Sequence, residues 1–207
     1  MIIFTRRYAL ALNLNDYNWI MAKIGDEFDV SSGGTPPTKT LEYWEGGTIN
    51  WIGSNLCQNT IITKTDGKFI TELGLKNSSA KIFEPETVLV ALVGATIGKT
   101  ALLRIATSTN QNIAGIAVWE NRDYASEYVF YAIQHLYPKF MEVGEGKFAM
   151  ANLGFIRELK IMKPPVELQN DFAKFCVEIY AAIANCQKIS MELSKNVMEF
   201  YGNICNR

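Results

Sequence analysis

Residues 164–200 read PPVELQNDFAKFCVEIYAAIANCQKISMELSKNVMEF, and their rhythm decides the fold class. After Pro164 and Pro165 the apolar positions step by four and three. Leu168, Phe172, Phe175, Ile179, Ala182, Cys186, Ile189 and Leu193 keep that step, Asn196 interrupts it and Phe200 resumes it. A repeat of about 3.5 residues over some five heptads is a coiled-coil seam, narrower than the stripe of a helix lying on a core. A helix of about 35 residues is roughly 52 Å long, more than one domain of this size needs. Residues 164–207 are therefore expected to form a helical spacer that pairs with a partner.

Composition bounds the rest. A chain of 207 residues with 48% hydrophobic content can bury a substantial core in one or two domains. The longest purely apolar run, residues 88–93, is too short to span a bilayer, so no membrane partner is expected. Arg6 and Arg7 are followed by no proper signal core or small-residue cleavage site. The four cysteines, Cys57, Cys176, Cys186 and Cys205, have no C-x-x-C spacing, which suits reduced thiols in a cytoplasmic protein. A net charge of −1 gives no whole-chain sign of nucleic-acid binding, but binding needs only a local basic face.

The pattern divides the chain into an extension, residues 1–22, a globular domain, residues 23–163, and the helical region. The globular part opens on a turn-rich stretch, Ser31-Ser32-Gly33-Gly34-Thr35-Pro36-Pro37. Short strands are expected at 49–52, 87–93, 99–105, 113–119 and 156–162. Ser126 is placed to cap a helix over 127–136. Mixed strands before a long terminal helix give an α+β, or mixed α/β, architecture.

Catalytic motifs fit poorly. Gly94-Ala95-Thr96-Ile97-Gly98-Lys99-Thr100 follows an apolar strand as a phosphate loop would, but only three residues separate its glycines where four are needed. A tight turn between two strands is the better expectation. His135 is the only histidine, which leaves little room for a Ser-His-Asp or Cys-His system, and the cysteines lack metal-ligand spacing. Glu158-Leu159-Lys160 carries the E-x-K of many nucleases without a Pro-Asp partner. The chain does not read as an enzyme, and neither cofactor nor metal is expected in it.

Binding remains. Turns of the globular part mix amides, hydroxyls, aromatics and lysines, among them Tyr43-Trp44, Ser54-Asn55, Gln58-Asn59 and residues 107–112. Such chemistry suits DNA, where Lys and Arg hold phosphates while Asn and Gln address base edges.

Several segments together resemble the specificity subunit of type I restriction–modification systems. They are Gly33-Gly34-Thr35-Pro36, Ile49-Asn50-Trp51-Ile52, Gly94-Ala95-Thr96-Ile97-Gly98-Lys99, Asn110-Gln111-Asn112-Ile113-Ala114, and Pro164-Pro165 leading to Glu167-Leu168-Gln169. Their order and spacing over about 140 residues carry the resemblance more than any one of them. It implies a target-recognition domain followed by a helical ruler, with methylation and cleavage left to other subunits. Family members usually hold two such domains and two helical regions, so the resemblance is to half a specificity subunit. Asn112 stands where a smaller residue is common, and residues 1–22 have no counterpart in the motif set.

The resemblance implies double-stranded DNA, an adenine methyltransferase subunit and a restriction/translocase subunit as partners. S-adenosylmethionine is expected in the methyltransferase subunit. A homodimer through the C-terminal helix is also expected, with Asn196 helping to fix register. Lys39, Lys64, Lys76, Lys99 and Lys147 are the expected phosphate contacts. Asn55, Gln58, Thr109, Asn110 and Gln111 are the expected polar readers. The competing expectation is a coiled-coil scaffold that binds only protein.

Overall fold

The computed structural model describes residues 20–144 and 151–205. Strand β1 (Ile20–Lys23) and helix α1 (Ile24–Glu27) come first. Then follow β2 (Val30–Ser32), β3 (Ile49–Ile52), β4 (Thr60–Ile62), β5 (Phe69–Ile70), α2 (Glu72–Lys76) and β6 (Ile82–Phe83). Strands β7 (Val88–Ala91), β8 (Thr100–Leu103), β9 (Thr107–Thr109) and β10 (Ile113–Ile116) lead to helices α3 (Ser126–His135), α4 (Tyr137–Gly144) and α5 (Leu153–Glu158). Strand β11 (Lys160–Lys163) and helix α6 (Val166–Cys205) close the described chain.

Strands β7, β8 and β10 are buried at every position, so their sheet needs cover on both faces. That sheet has the order β2-β10-β7-β8-β4 and lies between helices and a second sheet, β5-β3-β9-β6. Strand alternation divides the side chains between the two faces. Val88, Val90, Leu102 and Ile116 meet Val129, Phe130 and Ile133 of α3 and Phe140 of α4. On the other face Leu89, Ala101, Leu103 and Ile113, with Ile62 of β4, meet Ile52 and Phe83. Gly115 is required there, because a Cβ would come 2.3 Å from the Phe83 ring.

A ribbon closes the globular part. Strand β1 pairs antiparallel with β11, from Ile20 opposite Lys163 to Lys23 opposite Lys160, and the Ile24 N–H donates to Leu159 O at 2.8 Å. The ribbon thus begins within the segment 1–22. Pro164 and Pro165 then lead into α6, whose 40 residues extend about 60 Å. Its early turns pack on α3 through Phe172, Ala173 and Cys176, and the described side chains from Ala181 to Tyr201 are exposed. Among the described residues no helix is long and apolar enough to cross a membrane.

The long helix agrees with the periodicity, but the stripe it lays on its own domain is not the expected seam. Gln169, Ala173 and Cys176 are buried and Tyr180 continues their line. The seam lies roughly a quarter-turn round: Leu168, Phe172, Phe175 and Ile179 are half-buried, and Ala182, Cys186, Ile189, Leu193, Asn196 and Phe200 are exposed.

Two local expectations are corrected. Residues 156–162 do not form one strand: Asn152 caps a helical turn by accepting from the Phe155 N–H at 2.9 Å, and the strand starts only at Lys160. Ser126 is not the cap of α3. Ala125 holds that position, and the Ser126 hydroxyl bonds the Glu86 and Glu127 carboxylates. The segment from Gly94 is a tight turn joining antiparallel β7 and β8, as its spacing predicts.

Those carboxylates receive Arg104, whose two terminal nitrogens separately engage Glu86 and Glu127. Burial opposes ionisation of Glu127, but hydrogen bonds from Arg104 and Ser126, with the Arg104 charge, hold its carboxyl below the usual value. The stabilisation is therefore present above the unfolded-state pKa of about 4.3 and lost as pH falls through the lower folded value. Arg104→Ala leaves two carboxylates facing each other and is expected to cost about 2 kcal/mol at pH 7, since the groups are only part-buried. Urea titrations should show the gap to wild type closing as pH drops below about 4.

Candidate nucleic-acid interface

Sheet register explains why the motifs matter together. In the five-stranded sheet Ser32 neighbours Ala114, Ile113 neighbours Ala91, Val90 neighbours Thr100 and Thr60 neighbours Ala101. One end of that sheet therefore carries Gly33, Asn112, Leu92, Lys99 and Asn59. Strand β3 runs parallel to β9, with Ile52 opposite Thr109, so Gly53–Asn55 and Asn110 reach the same end. Segments distant in sequence converge on one strip of turns.

Close approach builds this strip. The Gly34 N–H donates to Thr109 O at 2.8 Å. A Cβ on Gly33 would sit 2.1 Å from Thr109 Oγ1, and one on Gly34 would sit 2.4 Å from the Ser79 backbone carbon. Both glycines are thus needed to thread the chain between two neighbours. Asn59 adopts φ 58 and accepts from the Thr100 N–H at 3.0 Å and the Thr100 hydroxyl at 3.3 Å, stapling the β3–β4 connection to β8.

The exposed chemistry is amide-rich. Lys99 Nζ donates to Gln58 Oε1 at 2.8 Å, and Gln58 Nε2 donates to Asn55 O at 3.3 Å. Asn110 Oδ1 accepts from the Asn112 N–H at 3.0 Å. Gln111 Oε1 accepts from the Thr35 hydroxyl at 2.8 Å, which orients that amide. A Cβ on Gly53 would come 2.7 Å from Asn55 Oδ1, so its absence makes room for that amide. The strip offers hydrogen-bond donors and acceptors with an ammonium beside them, a set able to hold a phosphate and address base edges.

Five of the expected residues, Asn55, Gln58, Lys99, Asn110 and Gln111, are brought together here. Thr109 lies in the same place but is 0% exposed, its hydroxyl donating to Asn110 O at 3.2 Å, so it supports the turn from beneath. Lys64 follows the opposite end of β4, away from the strip. Lys39 lies in the turn before Leu41–Tyr43, and Lys76 ends α2, which packs on that segment through Gly74 and Tyr43. Lys147 lies outside the described residues.

Two contributors escaped the sequence reading. A polar groove beside β2 brings Lys81, Ser79 and Arg157 next to Gln111, although no motif marks them. Gln169, quoted only as part of a motif, is fully buried and ties α6 to the turn before α3. Nothing among the described residues clusters three metal-ligating side chains.

The sequence profile described as "Type I restriction modification DNA specificity domain" matches residues 17–195, taking in both the strip and most of α6. The chain belongs to that family. A curated relative within it is the type I restriction enzyme MjaIX specificity subunit of Methanocaldococcus jannaschii. It is 30% identical over 192 residues, covering 90% of this chain and 43% of the relative. The HsdS subunit from Thermoanaerobacter tengcongensis superposes with a TM-score of 0.60 at 19% identity, over 82% of this chain and 39% of that one. A chain solved in work on assembly and conformational transition of a type I R-M system gives a TM-score of 0.67 at 19% identity, over 89% of this chain and 45% of that one. These likenesses in structure concern the fold. The chain spans less than half the length of the specificity subunits it matches.

Proposed function

We propose that this chain is a non-catalytic specificity component of a type I restriction–modification complex, acting through one recognition domain and one spacer helix. The observation that carries the reading is the family match across residues 17–195, a span that takes in the strip and most of α6. Residues 23–163 serve as the recognition domain and 164–207 as the spacer. The strip of turns enters the major groove: Asn55, Gln58, Asn110 and Gln111 address base edges while Lys99 holds a phosphate. Lys39, Lys64, Lys76 and Lys147 then contribute to the wider electrostatic footprint.

Two copies pair through α6. The distal half of α6 carries exposed Ile189, Leu193, Val197, Met198 and Phe200, an apolar stripe that a second copy of the helix would cover. Antiparallel pairing places two identical recognition surfaces along one duplex, so the site is an inverted repeat with an unread gap. An adenine methyltransferase subunit brings S-adenosylmethionine and the methyl transfer, and a restriction/translocase subunit brings cleavage. The complex works in the cytoplasm, where the DNA is.

The test uses the chain co-purified with its methyltransferase subunit. Asn55→Ala is expected to relax the preference at one base pair per half-site and slow methylation about 10- to 100-fold at the wild-type site. Lys99→Ala is expected to weaken binding to every duplex and reduce the slope of log K against log salt by about 1 for each copy. Unchanged base preference and salt slope in both variants would remove the strip from the interface and favour the protein-binding scaffold.

A further inference from the structure

Helix α6 meets its own domain along one stripe, from Gln169, anchored beside Pro164, through Ala173 and Cys176 to Tyr180, eleven residues on and about 16 Å along the helix. There the Tyr180 ring lies flat on Tyr131, centroids 5.4 Å apart and planes 12° apart. Its hydroxyl donates to Gln134 Oε1 at 3.2 Å, and Gln134 is buried. Tyr131 is itself fixed, edge-on to Phe130 at 5.0 Å and to Phe172 at 6.4 Å. Past Tyr180 the described side chains of the helix are exposed.

Tyr180 ends this stripe, so its contact is the last that fixes the direction in which the helix leaves the domain. Twenty-five residues follow Tyr180 in α6, about 37 Å of unsupported lever. A tilt of about 10° at Tyr180 displaces the far end by about 6 Å, against roughly 3.4 Å per base pair of duplex. Small changes in helix direction are therefore large on the scale of DNA register.

We propose that Tyr180, stacked on Tyr131 and bonded to Gln134, is a positioning residue that sets the direction of the spacer helix and hence the length of the unread gap between half-sites. This rests on the two-copy specificity reading above. It assigns gap length to the angle at which the helix leaves the domain, in addition to the length of the helix itself. Tyr180 lies outside both the strip of turns and the apolar stripe from Ile189 to Phe200, so its effect is confined to geometry.

The experiment methylates a plasmid library in which the wild-type half-sites are separated by gaps of varied length, using the complex of this chain with its methyltransferase subunit. Tyr180→Ala is expected to accept gaps one base pair shorter and longer, with a roughly ten-fold slower rate at the wild-type gap and unaltered base preference within each half-site. Tyr180→Leu keeps apolar cover over Cys176 while losing the stack and the hydroxyl, and gives the same broadening. Tyr180→Phe retains the stack and keeps the wild-type gap as its best substrate. Folded Tyr180→Ala and Tyr180→Leu complexes that methylate at the wild-type gap alone, or at none, overturn the proposal. A wild-type complex that methylates no split site overturns instead the reading on which it rests.

Discussion

Gln169→Leu is expected to lower stability by about 3 kcal/mol and to loosen helix α6 from its domain. The side chain is 0% exposed and makes three hydrogen bonds. Its Nε2 donates to Asp123 O at 2.9 Å and Pro164 O at 2.8 Å, while its Oε1 accepts from the Ala125 N–H at 2.9 Å. Leucine fills the same volume and serves none of the three backbone groups, each of which then costs about 1–3 kcal/mol if left dry. Asp123 is exposed and its carbonyl can turn to water, which keeps the total near the lower end. Gln169→Glu keeps the acceptor for Ala125 but sets a carboxylate against two carbonyls, so it fails by a similar amount. Urea denaturation should show a lower midpoint, with a fall in melting temperature of about 6–12 °C. Protease cleavage near Pro164 and Pro165 should quicken in parallel. Wild-type stability in both variants would mean that the anchor contributes nothing.

Gly98→Ala is the second large effect, and Gly94→Ala is its control. Both glycines lie in the β7–β8 turn at positive φ, +73° for Gly98 and +71° for Gly94. A left-handed conformation costs an L-residue about 1–2 kcal/mol. At Gly94 that is the whole penalty, since an added Cβ meets nothing within 4 Å. At Gly98 the Cβ would come 2.6 Å from Cγ of Phe140, a ring that is completely buried. Overpacking adds about 1–3 kcal/mol, for a total of about 2–5 kcal/mol against about 1–2 at Gly94. Chemical denaturation of the two variants measures the difference, and equal losses would contradict the packing account. The glycine spacing of this turn is thus a folding device, with Lys99 delivered to the strip as its consequence.

The sequence made the long helix legible because one period ran unbroken for many turns. Its docking stripe was harder to see, since Gln169, Ala173 and Cys176 are polar or small and contribute little to a hydropathy pattern. Strands β7, β8 and β10 were legible as apolar runs. Strands β2, β4, β5, β6 and β9 have two or three residues each, too few to show a period of two. Residues 156–158 were misjudged because charge alternation suggested a strand, while the decisive signal was the single capping Asn152.

The candidate strip was legible in kind but not in membership. Asn55, Gln58, Lys99, Asn110 and Gln111 stood out as polar residues in turns, and sheet register then gathered them. Lys64 had the same chemistry and was carried to the far end of β4 by a topology that no local pattern encodes. Thr109 looked available because it adjoins Asn110, but it occupies the last position of a buried strand. Lys81 reached the strip through the close contact of Gly34 with Ser79, a packing fact without a sequence signature.

The most direct measurement is a genome-wide map of methylated adenines in cells that express this chain together with its methyltransferase subunit and no other specificity component. The account predicts methylation at one split motif whose two halves form an inverted repeat, absent when either protein is omitted. With both proteins soluble and co-purifying, methylation without any sequence motif, or none at all, would contradict it.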